Sequence, residues 1–302
     1  QAGWQVVGTS LGTFAYRVDN DAVTELNLLG NAGSHRSVGD SFGMLLLPES
    51  ATGADIEQAR KLLIDRGAAD DTVSSSLFQY WFGRDDIVEF KHINTSSVTS
   101  ARAAWLNNYS LEVFPALDLR NSNSFIQTWQ NSYALTSFPA GAKLGTEAEN
   151  VSFNAAWKAS GLTSFPALDL STGTNFTDAW NAATSLNSFG AIDARKGTSF
   201  SWAWYTANAL TSFPSDALLG TEANNVDFSS AWRSSGLTSF PALDLSKGNN
   251  FTSAWNGCSA LTSFPAGAKL GTSAQSVNFA DAWLTSGLTS FSTPLPTATN
   301  VS

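Results

Sequence analysis

Phe251-Thr252-Ser253-Ala254-Trp255-Asn256-Gly257-Cys258-Ser259-Ala260-Leu261-Thr262-Ser263-Phe264-Pro265 is one copy of a segment that recurs along most of the chain. Outward from it in both directions, tryptophan marks the period: Trp81, Trp105, Trp129, Trp157, Trp180, Trp204, Trp232, Trp255 and Trp283. Short and long steps alternate along this series, the long ones following one or two short ones. A phenylalanine trails each tryptophan by eight or nine positions, at Phe90, Phe114, Phe138, Phe165, Phe189, Phe213, Phe240, Phe264 and Phe291. Another leads by four, at Phe125, Phe153, Phe176, Phe200, Phe228, Phe251 and Phe279. A period of about 20–29 residues implies stacked supersecondary units, each contacting only its neighbours.

Within the unit, Phe176-Thr177-Asp178-Ala179-Trp180 places apolar residues at i, i+3 and i+4, which predicts a short helical turn. Ser152, Asn175, Ser199, Asp227, Asn250 and Asn278 precede the leading Phe and suit an N-cap. Gly161, Gly236 and Gly287 fall where such a turn would end. Leu261-Thr262-Ser263-Phe264 then reads as a short strand that stops near Pro265, because proline cannot donate to a ladder. Long units carry insertions ending in Leu144-Gly145-Thr146-Glu147, Leu219-Gly220-Thr221-Glu222 and Leu270-Gly271-Thr272-Ser273. The first two lie three units apart, as if a three-unit block had been duplicated. Such insertions are expected to form a ridge along one lateral edge.

The segment from Phe251 to Pro265 resembles the BspA-like leucine-rich repeats of bacterial surface proteins, and similar repeats occur in marine phage and cyanobacterial proteins. Trp255 stands at the family's aromatic position and Cys258 at its cysteine position. Ser132, Ser160, Ala183, Ala207 and Ser235 replace that cysteine in other units. The resemblance implies an α/β repeat fold, a leucine-rich-repeat-type solenoid over 77–291. It would hold nine units, each about 23–28 residues long and built from a strand plus a helical turn. The resemblance also implies an adhesin-like or receptor-binding role at a cell or virion surface.

Residues 1–76 lack the period and are expected to form an α+β cap or attachment region. Trp4–Gly8 and Phe14–Val18 read as strands, and Val23–Asn31 as one leucine-rich strand unit. Residues 53–66 read as a helix capped by Thr52 and stopped by Gly67, with Ile56, Ala59, Leu62 and Leu63 on one face. Residues 292–302, with Pro294 and Pro296, form a tail too short for a folded cap. The expectation is that the natural chain continues, or that an uncapped C-terminal coil packs on a partner or a second copy.

Composition narrows function by exclusion. Of 302 residues, 43% are hydrophobic and only 14% charged, so the surface must be built largely from Ser, Thr, Asn and Gly, as is common outside the cytosol. A net charge of −9 without a basic run argues against nucleic acid as a partner. No apolar run is long enough for membrane insertion. Cys258 alone forms no disulfide framework, and His35 and His92 are too few for a zinc site. Asp118, Asp169, Asp193 and Asp244 share one repeat position; turn formation suits them better than calcium, which needs about six to eight oxygens. No nucleophile elbow, phosphate loop or metalloprotease motif is present. The chain thus reads as a non-enzyme without cofactors.

Two surfaces invite ligands. Thr136, Thr163, Thr211, Thr238, Thr262 and Thr289 all follow the unit's leucine and would repeat at about 4.7–4.9 Å in stacked strands. Such a ladder could bind a host-cell or environmental glycan or protein, or order water as ice-binding faces do; solvated turns are the plainer reading. Trp202 lies outside the tryptophan series and should point off the core. Trp105, Trp129, Trp157, Trp180, Trp204, Trp232, Trp255 and Trp283, with Phe138, Phe165, Phe213, Phe240 and Phe264, are expected to be core. A self-associating subunit of a virion, fibre or filament is the alternative function.

Overall fold

The computed structural model describes residues 3–9, 12–18, 41–47, 52–64, 81–84, 86–93, 95, 97–296 and 299–300. From Ala101 to Phe279 the chain winds as a parallel β-solenoid of about seven turns with little helix. Three ladders of very short parallel strands run along it. One joins the Ser-Phe pairs, such as Ser164–Phe165 with Ser188–Phe189. A second joins the Asp-Leu positions, such as Asp118–Leu119 with Lys143–Leu144. A third joins the residues before the leading phenylalanine, such as Val226–Asp227 with Gly248 and Asn250. The fourth part of each coil is a ribbon of consecutive turns.

That ribbon is where helix was expected, and it is not helical. In the coil of Phe176, the amides of Phe176, Asp178, Trp180 and Ala182 donate to Ser199, Ser201, Ala203 and Tyr205 of the next coil at 2.8–2.9 Å. The intervening amides of Ala179, Asn181 and Ala183 each reach back three residues, at 3.1 Å. Asp178 and Ala182 have φ of 59°, and every coil repeats positive φ at these two places. An α-helix admits neither positive φ nor amides spent on a neighbour. The apolar pattern misleads because a four-residue turn period also buries i, i+3, i+4 and i+7: Phe176, Ala179, Trp180 and Ala183 are all fully buried.

The other helix signals have different physical causes too. Asp227 accepts from the Ser229 amide at 2.9 Å and Asn278 from the Ala280 amide at 2.9 Å, so these residues fasten Asx turns, not helix N-termini. Gly236 has no helix to end; a Cβ there would lie 2.0 Å from the Asn208 carbonyl oxygen of the preceding coil. Gly161 and Gly287 are held by the same close approach, at 1.8 and 2.3 Å. The solenoid is therefore neither leucine-rich-repeat in type nor composed of nine complete units. The Trp81 and Trp283 units are partial, the first merging with the N-terminal sheet and the second bonded along its turn ribbon to one neighbour.

The tryptophans stack in one column from Trp81 to Trp283, with ring centroids 5.1–5.8 Å apart and planes within 8°. These centroid distances exceed the strand spacing, as offset stacking requires. Around Trp204, Phe213 stands edge-to-face at 4.9 Å and 83°, and Phe189 of the previous coil at 5.4 Å and 89°. Eight indole nitrogens, from Trp105 to Trp283, meet no hydrogen-bond acceptor. Each indole sits among aromatic rings, where N–H···π contact is the compensation open to it. Trp105, Trp129, Trp157, Trp180, Trp204, Trp232 and Trp255 are fully buried; Trp283, on the last coil, is half-buried.

At the N-terminal end, strands β1 (Gly3–Thr9), β2 (Gly12–Val18), β3 (Ser41–Leu47) and β4 (Ile87–Ile93) form an antiparallel sheet in the order β3-β1-β2-β4. Helix α1 (Gly53–Ile64) packs on it. Its start is fastened by Thr52, whose amide donates to Asp55 Oδ2 at 2.8 Å. Ile56, Ala59 and Leu63 are buried, whereas Leu62 is 48% exposed and leaves the expected face. The expected unit at Val23–Asn31 and residues 65–66 of the expected helix lie outside the described residues. β4 is the junction: it pairs antiparallel with β2 and bridges parallel from Glu89 to Val113 of the next coil. At the other end Thr299–Asn300 adds to the third ladder beside Val277–Asn278, so the tail takes part in the winding.

Two substitutions test this account. Trp180→Ala empties the middle of the stack and should cost about 3–5 kcal/mol in denaturant unfolding. Gly236→Ala should cost about 1–3 kcal/mol or more through the clash alone. A Gly236→Ala protein as stable as the parent would refute the close coil contact.

Candidate functional site

The Leu-Thr-Ser-Phe strand buries its leucine and phenylalanine and turns Thr and Ser outward. Thr136, Thr163, Thr211, Thr238, Thr262 and Thr289 are all exposed and form one column. The Thr163, Thr238 and Thr289 hydroxyls donate to the carbonyls of Thr136, Thr211 and Thr262, at 3.0, 3.1 and 3.4 Å. Each such hydroxyl has committed its proton within the protein and presents lone pairs outward, with its rotor held. The neighbouring Ser137, Ser188, Ser212, Ser239 and Ser263 are exposed and have no side-chain partner among the described residues. A threonine column with three fixed acceptors thus runs beside a column of serine hydroxyls free to donate.

The column is not uniform. Asn187 replaces threonine between Thr163 and Thr211, while Glu112 and Val113 replace Thr and Ser at its N-terminal end. There Tyr109 and Tyr133, 43% and 57% exposed, stack at 5.4 Å with planes 8° apart. The next residue in their column is Gly161, so no side chain follows Tyr133 along the stack. Sequence reading missed this pair. The signal was there: two tyrosines four positions after Trp105 and Trp129, at a place that later coils fill with small or polar residues. The aromatic flank and Asn187 also break the uniform threonine face that ice binding calls for.

Trp202 is not part of this face. It sits on the turn ribbon, half-buried, with φ of 60°. Tyr205 meets it edge-on at 4.7 Å and 78°, and the Arg233 guanidinium lies 5.8 Å from its ring centre. The threonine column and Trp202 are therefore two separate surfaces.

The aspartates at the shared repeat position form turns and ion pairs. Asp169 and Asp244 accept from the amides two positions on, each at 3.0 Å. Asp118 is gripped by Arg120, which also reaches Glu147 of the insertion at 2.9 Å. Asp193, Arg195 and Glu222 repeat that triad three units later. No group of three or more His, Cys, Asp or Glu side chains among the described residues is placed to hold a metal ion. The three insertions are separated along the chain by short coils. Beside the first of them, Ala148, Glu149, Asn150, Thr172, Thr174 and Lys196 line a cleft. Cys258 is fully buried, its thiol donating to the Trp232 carbonyl at 3.0 Å, and burial pushes its pKa up.

No helix among the described residues is long and apolar enough to cross a membrane. No protein-family model matches the chain, and no curated protein or solved structure matches it either. Nothing in these comparisons identifies a BspA-like family.

The hydrogen bonds from Arg120 and Arg195 hold the Asp118 and Asp193 carboxyls below their ordinary value of 3.8. A depressed folded pKa adds stability that is complete above the ordinary value and lost as pH falls through it toward the folded one. Melting temperature should therefore drop as pH falls below about 4. Asp193→Asn keeps the turn acceptor and removes the charge, so its melting temperature should depend less on pH over that window.

Proposed function

We infer that this chain is a non-enzymatic recognition protein of a cell or virion surface, binding glycan or protein through the Thr-Ser face of the solenoid. The observation that carries this reading is the exposed threonine column, in which the Thr163, Thr238 and Thr289 hydroxyls are tied to the preceding coil. Acceptors so fixed lose little freedom on binding, so their weak hydrogen bonds are retained in the net affinity. Repetition along the axis suits a repetitive ligand, and arrayed copies would add avidity. Tyr109 and Tyr133 supply an apolar contact at one end, as the C–H face of a sugar or an apolar side chain requires. The sparsely charged, hydroxyl-rich composition supports an extracellular setting.

The test is a glycan array and a cell-surface binding screen with the full chain. A Thr163→Val, Thr238→Val, Thr289→Val variant keeps the branched shape and removes the hydroxyls. It should bind any ligand so found about tenfold or more weakly. Tyr133→Ser installs the residue that Ser259 already supplies in the same column, and it should weaken binding without lowering the melting temperature. Unchanged binding in both variants would move the site off this face.

Exposed Leu284 and Phe291 at the last coil, 53% and 39% accessible, favour a second reading: a structural subunit that self-associates through that coil. Sedimentation over a wide concentration range should then show regular oligomers that Phe291→Ser abolishes. A persistent monomer removes this reading.

A further inference from the structure

The position two after the leading phenylalanine has positive φ in every coil. Gln127, Ala155, Asp178, Ser230, Ser253 and Asp281 occupy it at 53–59°, none of them aromatic or β-branched. Trp202 stands there at 60°. A bulky side chain in the left-handed region is disfavoured, and this one contributes nothing to the aromatic core. Its partners lie on the surface as well. Tyr205 and Arg233 occupy one register position on adjacent coils, both half-buried, and the guanidinium is 5.8 Å from the Trp202 ring centre and 5.9 Å from that of Tyr205.

Arg233 differs from Arg120 and Arg195 on the same solenoid. Arg120 and Arg195 each grip an aspartate and bridge to a glutamate on the next coil. Arg233 has no ion pair and no side-chain hydrogen bond among the described residues. In a chain of net charge −9, it is a cation held against two aromatic rings with its donors uncommitted. Beside it, the Ser201 and Ser229 hydroxyls join adjacent coils at 2.9 Å.

We propose that Trp202, Tyr205 and Arg233 form a binding site for an anionic carbohydrate, the indole stacking on a sugar ring and the guanidinium pairing with its carboxylate or sulfate. An acidic peptide fits less well. Peptides that dock on such scaffolds add main-chain hydrogen bonds at an open edge or lie in a groove. Here the amides of Trp202, Trp204 and Thr206 are already given to Ser229, Ala231 and Arg233 of the next coil, at 2.8–3.0 Å. Only side chains are on offer, and an indole with a second ring edge-on to it and a guanidinium alongside can both stack on and charge-pair with an acidic sugar. The site is separate from the Thr-Ser face and does not depend on the role assigned there.

The experiment is calorimetric titration of the full chain with polygalacturonate, dextran sulfate, neutral dextran and polyglutamate at low and moderate salt. Trp202→Ser and Arg233→Asn copy residues that neighbouring coils already carry, Ser230 and Asn256, so both variants should melt with the parent. Binding to polygalacturonate or dextran sulfate, weakened about tenfold or more by either substitution and by added salt, is the expected result. The stronger of those two polymers identifies the acidic group as carboxylate or sulfate. Four outcomes would overturn the proposal: no binding to either acidic polymer, equal binding of neutral dextran, equal binding of polyglutamate, or binding indifferent to both substitutions.

Discussion

Alternate amides along the turn ribbon hold this protein together. One set reaches back three residues to close turns within a coil, and the other set donates to the next coil. A backbone in that arrangement has no unpaired donor on its inner surface, which a buried turn otherwise could not avoid. It demands left-handed residues twice per coil, at a cost of about 1–2 kcal/mol each for non-glycine residues. Residues such as Ala182 and Ser234 accept that conformation only because the coils on either side hold it in place. An isolated coil would not adopt it, so the strained ribbon and the stack depend on each other.

The aromatic column follows from the same constraint. With the coils held at one spacing, every tryptophan lands over the one before it, and each phenylalanine fills the gap beside two indoles. This removes oxygen acceptors from the vicinity of the indole nitrogens. The resulting polar deficit at the centre is offset by burying two or more large rings per coil. Ser132 and Ser160, where Ala183 and Ala207 stand in other coils, leave buried hydroxyls without partners. The column thus tolerates small polar side chains at this place, though nothing in the packing requires them.

Because the core is the same in nearly every coil, individuality lies outside it. The Arg120 and Arg195 triads recur with the three-unit block and belong to the scaffold. Tyr109 and Tyr133, and Trp202 with Tyr205 and Arg233, do not recur. A residue that departs from its column on the surface of a repeat protein carries information that core residues cannot, since the repeat already accounts for packing. The two departures fall on different faces, one beside the hydroxyl ladder and one on the turn ribbon.

The sequence by itself determined the period, the duplicated block, the buried tryptophan and phenylalanine columns, and the outward threonines. All of these depend on spacing along the chain and on whether a side chain prefers water. It did not determine what the Phe-to-Trp segment forms. A helix and a ribbon of four-residue turns bury the same i, i+3, i+4 and i+7 positions, and both take Asn, Asp or Ser at the start. They differ in where the alternate amides go and in the sign of φ, and both depend on the neighbouring coil being present. The same is true of Gly236, whose requirement comes from the Asn208 carbonyl one coil earlier, and of Trp202, whose partner Arg233 lies one coil on. Contacts between coils join residues far apart in sequence, so only the tertiary structure could decide them.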